Sequence, residues 1–95
     1  MIGAIGRGTL RAAGQPGLDS ALEEWARGVR SEFGDVVQYI GRAHGDTRQI
    51  VVIVLFPNEE TYQRFDQQRP DRWAQIILQH LEGDMQWDEI DVEQV

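Results

Sequence analysis

The 95-residue chain contains no cysteine and no lysine, only two histidines, and no apolar run longer than the seven residues Ile50 to Phe56. Without cysteine there is no disulfide, no thiolate metal site and no cysteine nucleophile, so burial alone must hold the fold. His44 and His80 are too few for a three-histidine metal site, and no carboxylate stands at a helical spacing that would complete one. A helical membrane span needs about 20 apolar residues, and the glycine-bearing opening Met1 to Leu10 lacks the apolar core of a secretory signal. The expectation is a cytoplasmic protein with no membrane partner. Sixteen acids against nine bases give a net charge of −7, and every base is an arginine standing among acids rather than in a basic stripe. Phosphate backbones are repelled by such a surface, so no nucleic-acid partner is expected.

What is present is enough for one globular domain, residues 1–95, with 41% hydrophobic residues and ten glycines. Residues 2–11 read as a first strand with Ile2, Ile5 and Leu10 as its larger side chains. Gln15-Pro16-Gly17 punctuates the chain, and Asp19 or Ser20 is placed to cap a helix, Ser20 and Glu23 having capping-box spacing. Leu18, Leu22, Trp25, Ala26, Val29 and Phe33 then recur at three- and four-residue intervals, the clearest helical pattern in the chain. Val36 to about His44 reads as a second strand, and Gly45-Asp46-Thr47 as a hairpin turn. Ile50 to Phe56 is apolar at every position, which predicts a third strand dry on both faces. After Pro57, Asn58 with Glu59 and Glu60 starts a second helix in two pieces interrupted at Pro70, with Trp73, Ile76, Ile77, His80 and Leu81 on one face before Gly83. Met85 to Val92 reads as a last strand. Met85 and Trp87 share one parity and Ile90 and Val92 the other, which predicts a bulge near Asp88-Glu89.

Strand, helix, strand, strand, helix, strand is the split βαβ order of an α+β, ferredoxin-like βαββαβ fold: a four-stranded antiparallel sheet, strands one and three central, both helices on one face. The opposite face then exposes alternate large aliphatic residues of the third strand. Each is worth about 1.5–3 kcal/mol when moved out of water. A homodimer with sheets packed face to face, a dimeric α+β barrel, is therefore expected. On strand one, Ala4, Gly6 and Gly8 share a face with almost no side-chain volume. If that face meets the helices, it forms the floor of an apolar cavity beneath Trp25, Trp73 and His80. The competing reading is that these glycines only let neighbours pack closer.

Other chemistry is poorly supported. Gly6-Arg7-Gly8 lacks the third glycine and immediate helix of a dinucleotide loop. The acids from Glu82 to Glu93 alternate with apolar residues, as on a solvated edge strand. No serine or threonine has a nucleophile-elbow context. The remaining candidates are His80 as a catalytic base, with Tyr39, Trp25, Trp73, Phe56, Arg42, His44, Gly6 and Gly8 around a small aromatic or apolar ligand, and neither metal nor cofactor.

Three stretches carry a family resemblance: Met1-Ile2-Gly3 leading to Gln15-Pro16-Gly17 and a helix; Ile50 to Phe56 followed by Pro57-Asn58-Glu59-Glu60-Thr61-Tyr62-Gln63-Arg64-Phe65; and Gln86-Trp87-Asp88-Glu89-Ile90-Asp91-Val92. In these the chain resembles the dimeric α+β barrel superfamily, and within it the antibiotic biosynthesis monooxygenase-like domains. The resemblance implies a homodimer, and for some members oxidation of aromatic polyketide-type substrates by oxygen without metal or flavin. Members often carry a tryptophan at the end of the third strand and a histidine on the second helix. Phe56 and Phe65 stand there in this chain. An oxygenase of this kind needs a base to form a carbanion and polar groups to hold an oxyanion, and His80, Tyr39, Arg42 and His44 are the groups available. A non-catalytic ligand-binding or stress-associated dimer, and a structural module without a pocket, are the alternatives.

Overall fold

The computed structural model describes residues 1–12, 15–68 and 72–95, with the side chains of residues 68 and 72–74 outside the description. In chain order the elements are β1 (Ile2–Thr9), α1 (Leu18–Phe33), β2 (Val37–Ala43), β3 (Asp46–Phe56), α2 (Glu59–Gln68), α3 (Arg72–Leu78) and β4 (Gln86–Asp91). The strands form one antiparallel sheet in the order β2-β3-β1-β4. The helices cover one face. This is the expected ferredoxin-like arrangement, with β1 and β3 central. The expected break at Pro70 lies outside the described residues.

Pairing register separates the two faces of the sheet. Ile2, Ala4, Gly6 and Gly8 of β1 stand opposite Phe56, Val54, Val52 and Ile50 of β3. Except for the half-buried Ile2, all of these are buried beneath the helices. Against them α1 turns Leu18, Leu22, Trp25, Val29 and Phe33, the stripe expected from its periodicity. Phe56 and Phe65 pack with ring centroids 5.0 Å apart, and Phe65 in turn meets Phe33 at 5.6 Å and Trp87 at 5.8 Å. The other face carries Gly3, Ile5 and Arg7 of β1, Leu55, Ile53 and Val51 of β3, Val37 and Tyr39 of β2, and Ile90 of β4.

Four local expectations are corrected. The start of α1 uses neither Asp19 nor Ser20 as a cap. Instead Pro16 and Gly17 form a turn closed by the Leu18 amide donating to the Gln15 carbonyl at 3.2 Å, with Gly17 at φ 80° and ψ −2°. Those angles are the third position of a type II turn, which glycine takes without steric cost. The β2–β3 hairpin turns on His44-Gly45, starting one residue earlier than expected and leaving Asp46 and Thr47 in β3, because Gly45 supplies the positive φ and Asp46 already pairs with Ala43. α3 stops at Leu78, so His80 is not on its apolar face: Leu81 bridges to Leu10, and the Glu82 amide donates to the Thr9 carbonyl at 2.8 Å. The chain there lengthens the sheet instead of the helix.

The fourth correction concerns β4, which pairs with β1 in unbroken register from Gln86 to Asp91 and has no bulge. Its change of parity has a different cause: Trp87 enters the core between sheet and helices, while Ile90 lies on the opposite face. The sheet's one register shift is between Arg42 and Ala43. Asn58 does start α2 as expected, its Oδ1 accepting from the Thr61 amide at 2.8 Å.

The glycines of β1 make room for Trp87. A Cβ on Gly6 would lie 2.8 Å from Met85 Cε and 3.0 Å from Trp87 Cη2, and one on Gly8 3.2 Å from Leu81 Cδ1. Met85 Cε can swing aside; an indole ring held by Phe65 cannot. Gly6→Ala should therefore cost about 1–3 kcal/mol through overpacking, a fall in Tm of at least about 5 °C in thermal denaturation. Gly41→Ala, whose Cβ would meet nothing within 4 Å, should leave Tm unchanged or slightly raised.

Candidate functional site

The floor expected above Gly6 and Gly8 is occupied, by Trp87, Met85 and Leu81. Phe56 and Trp25 are core residues, 0% and 3% exposed. Phe56 is enclosed by Tyr62 and Phe65. Tyr39 stands opposite Ile53 on the sheet face away from the helices and is 58% exposed, so it does not join a site between sheet and helices. The side chain of Trp73 lies outside the described residues.

The polar candidates gather elsewhere, at the end of the sheet where β1 finishes and the β2–β3 hairpin turns. Arg42 pairs with Ile50, which pairs with Gly8 near the close of β1. His44 is in the hairpin turn itself. His80 is tied to the segment that follows β1, its carbonyl accepting from the Arg11 amide at 3.0 Å.

The start of α1 joins these groups. Gln15, just before the turn, donates from Nε2 to the His80 carbonyl at 2.8 Å and places Oε1 3.2 Å from His80 Nδ1. Asp19, in the first turn, reaches Arg42 Nη2 at 3.8 Å. Sequence reasoning named His80 and Arg42 but not Gln15, whose contact with His80 spans 65 residues and leaves no local signal.

Along the helix side of β2 runs a second set. Gln38, Ile40 and Arg42 alternate there, opposite Val54, Val52 and Ile50. Ile40 remains 38% exposed although its partner Val52 is fully buried, so the helices leave part of this strip open. Gln38 Oε1 accepts from Arg30 Nη1 at 3.4 Å, while Gln38 Nε2 is buried with no partner among the described residues. A buried amide donor left unpaired is costly and suits an acceptor brought by something else. Among the described residues no cluster of histidine and carboxylate groups is placed to hold a metal ion, and no helix is long and apolar enough to cross a membrane.

No protein-family model matches the chain, and no curated protein matches it significantly. Solved structures do. A variant of SnoaB, a cofactor-independent oxygenase from Streptomyces nogalater, superposes with a TM-score of 0.75 at 14% identity, covering 99% of this chain and 94% of that one. A dimeric ferredoxin-like protein from an uncultured marine organism gives a TM-score of 0.72 at 12% identity, over 100% of this chain and 98% of that one. An antibiotic biosynthesis monooxygenase gives 0.62 at 16%, over 99% and 100%. The likeness is one of fold. At these identities it carries no residue roles across.

The Arg42–Asp19 pair is long and its carboxylate is 99% exposed, so solvent screens it. Arg42→Ala should change stability by less than about 0.5 kcal/mol in denaturant unfolding. A larger loss would mean that Arg42 holds the fold together and is not spare for a ligand.

Proposed function

We propose that the protein is a homodimer, its sheets packed face to face, in which each subunit takes a small aromatic or apolar molecule beside Ile40, between the polar groups of β2 and the start of α1. In this reading Arg42 and Gln38 donate to the ligand's oxygens and His80 is the candidate base, as in a cofactor-independent monooxygenase of the antibiotic biosynthesis type. The observation that carries the dimer is the second face of β3. Val51, Ile53 and Leu55 are only half-buried, with Val37 and Tyr39 beside them 48% and 58% exposed. A fully buried aliphatic side chain is worth about 1.5–3 kcal/mol, so a second copy of the same face recovers the remainder from both sides of a two-fold axis. A ferredoxin-like protein of similar fold is dimeric, which supports a dimer here.

A non-catalytic ligand-binding dimer, or a structural module without a pocket, is the second reading. The packing of Trp87, Met85 and Leu81 over Gly6 and Gly8 supports the structural module of these two, since the expected cavity floor is taken.

Sedimentation equilibrium at micromolar concentration should give a dimer, and Ile53→Glu, which sets a charge in the centre of the shared face, should weaken association at least about a hundredfold. A wild-type monomer would overturn the dimer. Titration with an anthrone should perturb the fluorescence of the tryptophans, and Arg42→Ala should weaken that binding. Under oxygen, the enzyme reading expects product and its loss in His80→Ala. Binding without product selects the non-catalytic reading, and turnover untouched in a dimeric His80→Ala removes the role given to His80.

A further inference from the structure

We infer that Gln15 is a positioning residue that fixes the neutral His80 ring in its Nδ1–H tautomer and leaves Nε2, with its lone pair, as the basic atom. The inference turns on which way the Gln15 amide points. One of its terminal atoms is 2.8 Å from the His80 carbonyl oxygen and the other is 3.2 Å from His80 Nδ1. A carbonyl oxygen only accepts, so the atom facing it must be the donating Nε2. The reversed amide would press two acceptors together at 2.8 Å. With Nε2 committed to the carbonyl, Oε1 faces the ring, and a carbonyl oxygen there requires a proton on Nδ1. The tautomer of an imidazole is set by the bond that one of its nitrogens makes, and in the neutral ring the other nitrogen is then an acceptor.

The carbonyl of His80 is held from two sides, by Gln15 Nε2 and by the Arg11 amide. Next along the chain, the Leu81 carbonyl accepts from Arg11 Nε at 3.0 Å. The backbone that carries the ring is thus pinned to the segment after β1, and Gln15 itself is pinned by the turn into α1. His80 Nε2 has no partner among the described residues.

The chemical meaning of this arrangement rests on the enzyme reading above. A proton leaving an acidic C–H or O–H of a bound molecule breaks that bond, leaves its electron pair on the molecule and forms N–H at Nε2. The resulting imidazolium keeps Nδ1–H on Gln15 Oε1, so the bond that selects the tautomer also stabilises the protonated ring.

The test is a two-bond ¹H–¹⁵N correlation spectrum of the ¹⁵N-histidine-labelled full chain, recorded at alkaline pH so that the neutral tautomers are read. His44 serves as the internal reference, because its ring has no side-chain partner among the described residues; a His44→Gln sample assigns the signals. His80 should show Nδ1–H and an unprotonated Nε2, and His44 the Nε2–H form that a free imidazole prefers. Gln15→Leu should move His80 to the pattern of His44, whereas Gln15→Glu, which gives up the bond to the His80 carbonyl but can still turn one carboxylate oxygen toward Nδ1, should retain Nδ1–H. A wild-type His80 indistinguishable from His44, or no change in Gln15→Leu, overturns the inference. Should Gln15→Leu fail to fold, the wild-type spectrum and Gln15→Glu decide alone. If an anthrone is turned over, kcat should fall at least about tenfold in Gln15→Leu, with recovery in Gln15→Glu. An absence of turnover together with the Nδ1–H tautomer sinks the enzyme reading and leaves the role of Gln15 standing.

Discussion

The seven residues from Ile50 to Phe56 offer no polar side chain to either face of the sheet, and the architecture follows from burying one of those faces completely beneath the helices, while the other, expected to be dry as well, is only half-buried. On one side Ile50, Val52, Val54 and Phe56 are 0–1% exposed beneath the helices. Such burial of alternate residues forces β3 into the sheet's interior, because an edge position would leave half its backbone groups and much of its apolar surface in water. β1 takes the neighbouring central place, and β2 and β4 are left at the edges. On the other side Val51, Ile53 and Leu55 are only half-buried, and this is the surface on which the proposed dimer rests.

The two faces divide labour in the strand that seals the sheet. β4 runs beside β1, whose helix-facing side has almost no volume at Gly6 and Gly8, and this vacancy admits the indole of Trp87. Three residues later the strand must serve the opposite face, where Gly3 is small in its turn: a Cβ there would lie 3.2 Å from Ile90 Cγ1 and 3.3 Å from Val92 Cγ2. Each large residue of β4 thus stands over a glycine of β1. β1 and β4 are not joined by a turn, so the pairing of small with large side chains across them is what favours this register, and it explains an apolar pattern that changes parity while the pairing stays unbroken.

That same pattern marks where sequence reading succeeds and where it fails. Periodicity in α1 and the unbroken run of β3 are properties of single segments, so the helix stripe, strand order and fold were legible from composition along the chain. The fate of Gly6 was not, because it depends on Trp87, 81 residues away; the glycines were visible, their occupant was not. His80 was misplaced for a related reason. Its spacing from Ile76 and Ile77 is helical, but the bridge from Leu81 to Leu10 competes for the chain, and a tertiary contact of that range leaves no local trace. Of the candidate residues, His80, Arg42 and His44 lie at one end of the sheet, whereas Tyr39 belongs to the other face, and the contact of Gln15 with His80 spans 65 residues and leaves no local pattern.

The arginines at that end sharpen which group is spare. Strand ends leave carbonyl oxygens without ladder partners, and such acceptors need donors. Arg48 Nε supplies the Leu10 carbonyl at 3.0 Å while its Nη2 binds Glu82 at 2.6 Å, and Arg11 Nε supplies the Leu81 carbonyl at 3.0 Å. Both guanidiniums are thus committed to closing the sheet, which accounts for their presence in a chain of net charge −7. Arg42 has no backbone carbonyl to satisfy among the described residues, and its acidic neighbour is solvated and 3.8 Å away. A guanidinium presents five donors in a planar fork. Most of those on Arg42 therefore remain unclaimed among the described residues, and they stand beside an exposed Ile40 and a Gln38 amide that has no partner among those residues, a surplus of donors next to apolar surface.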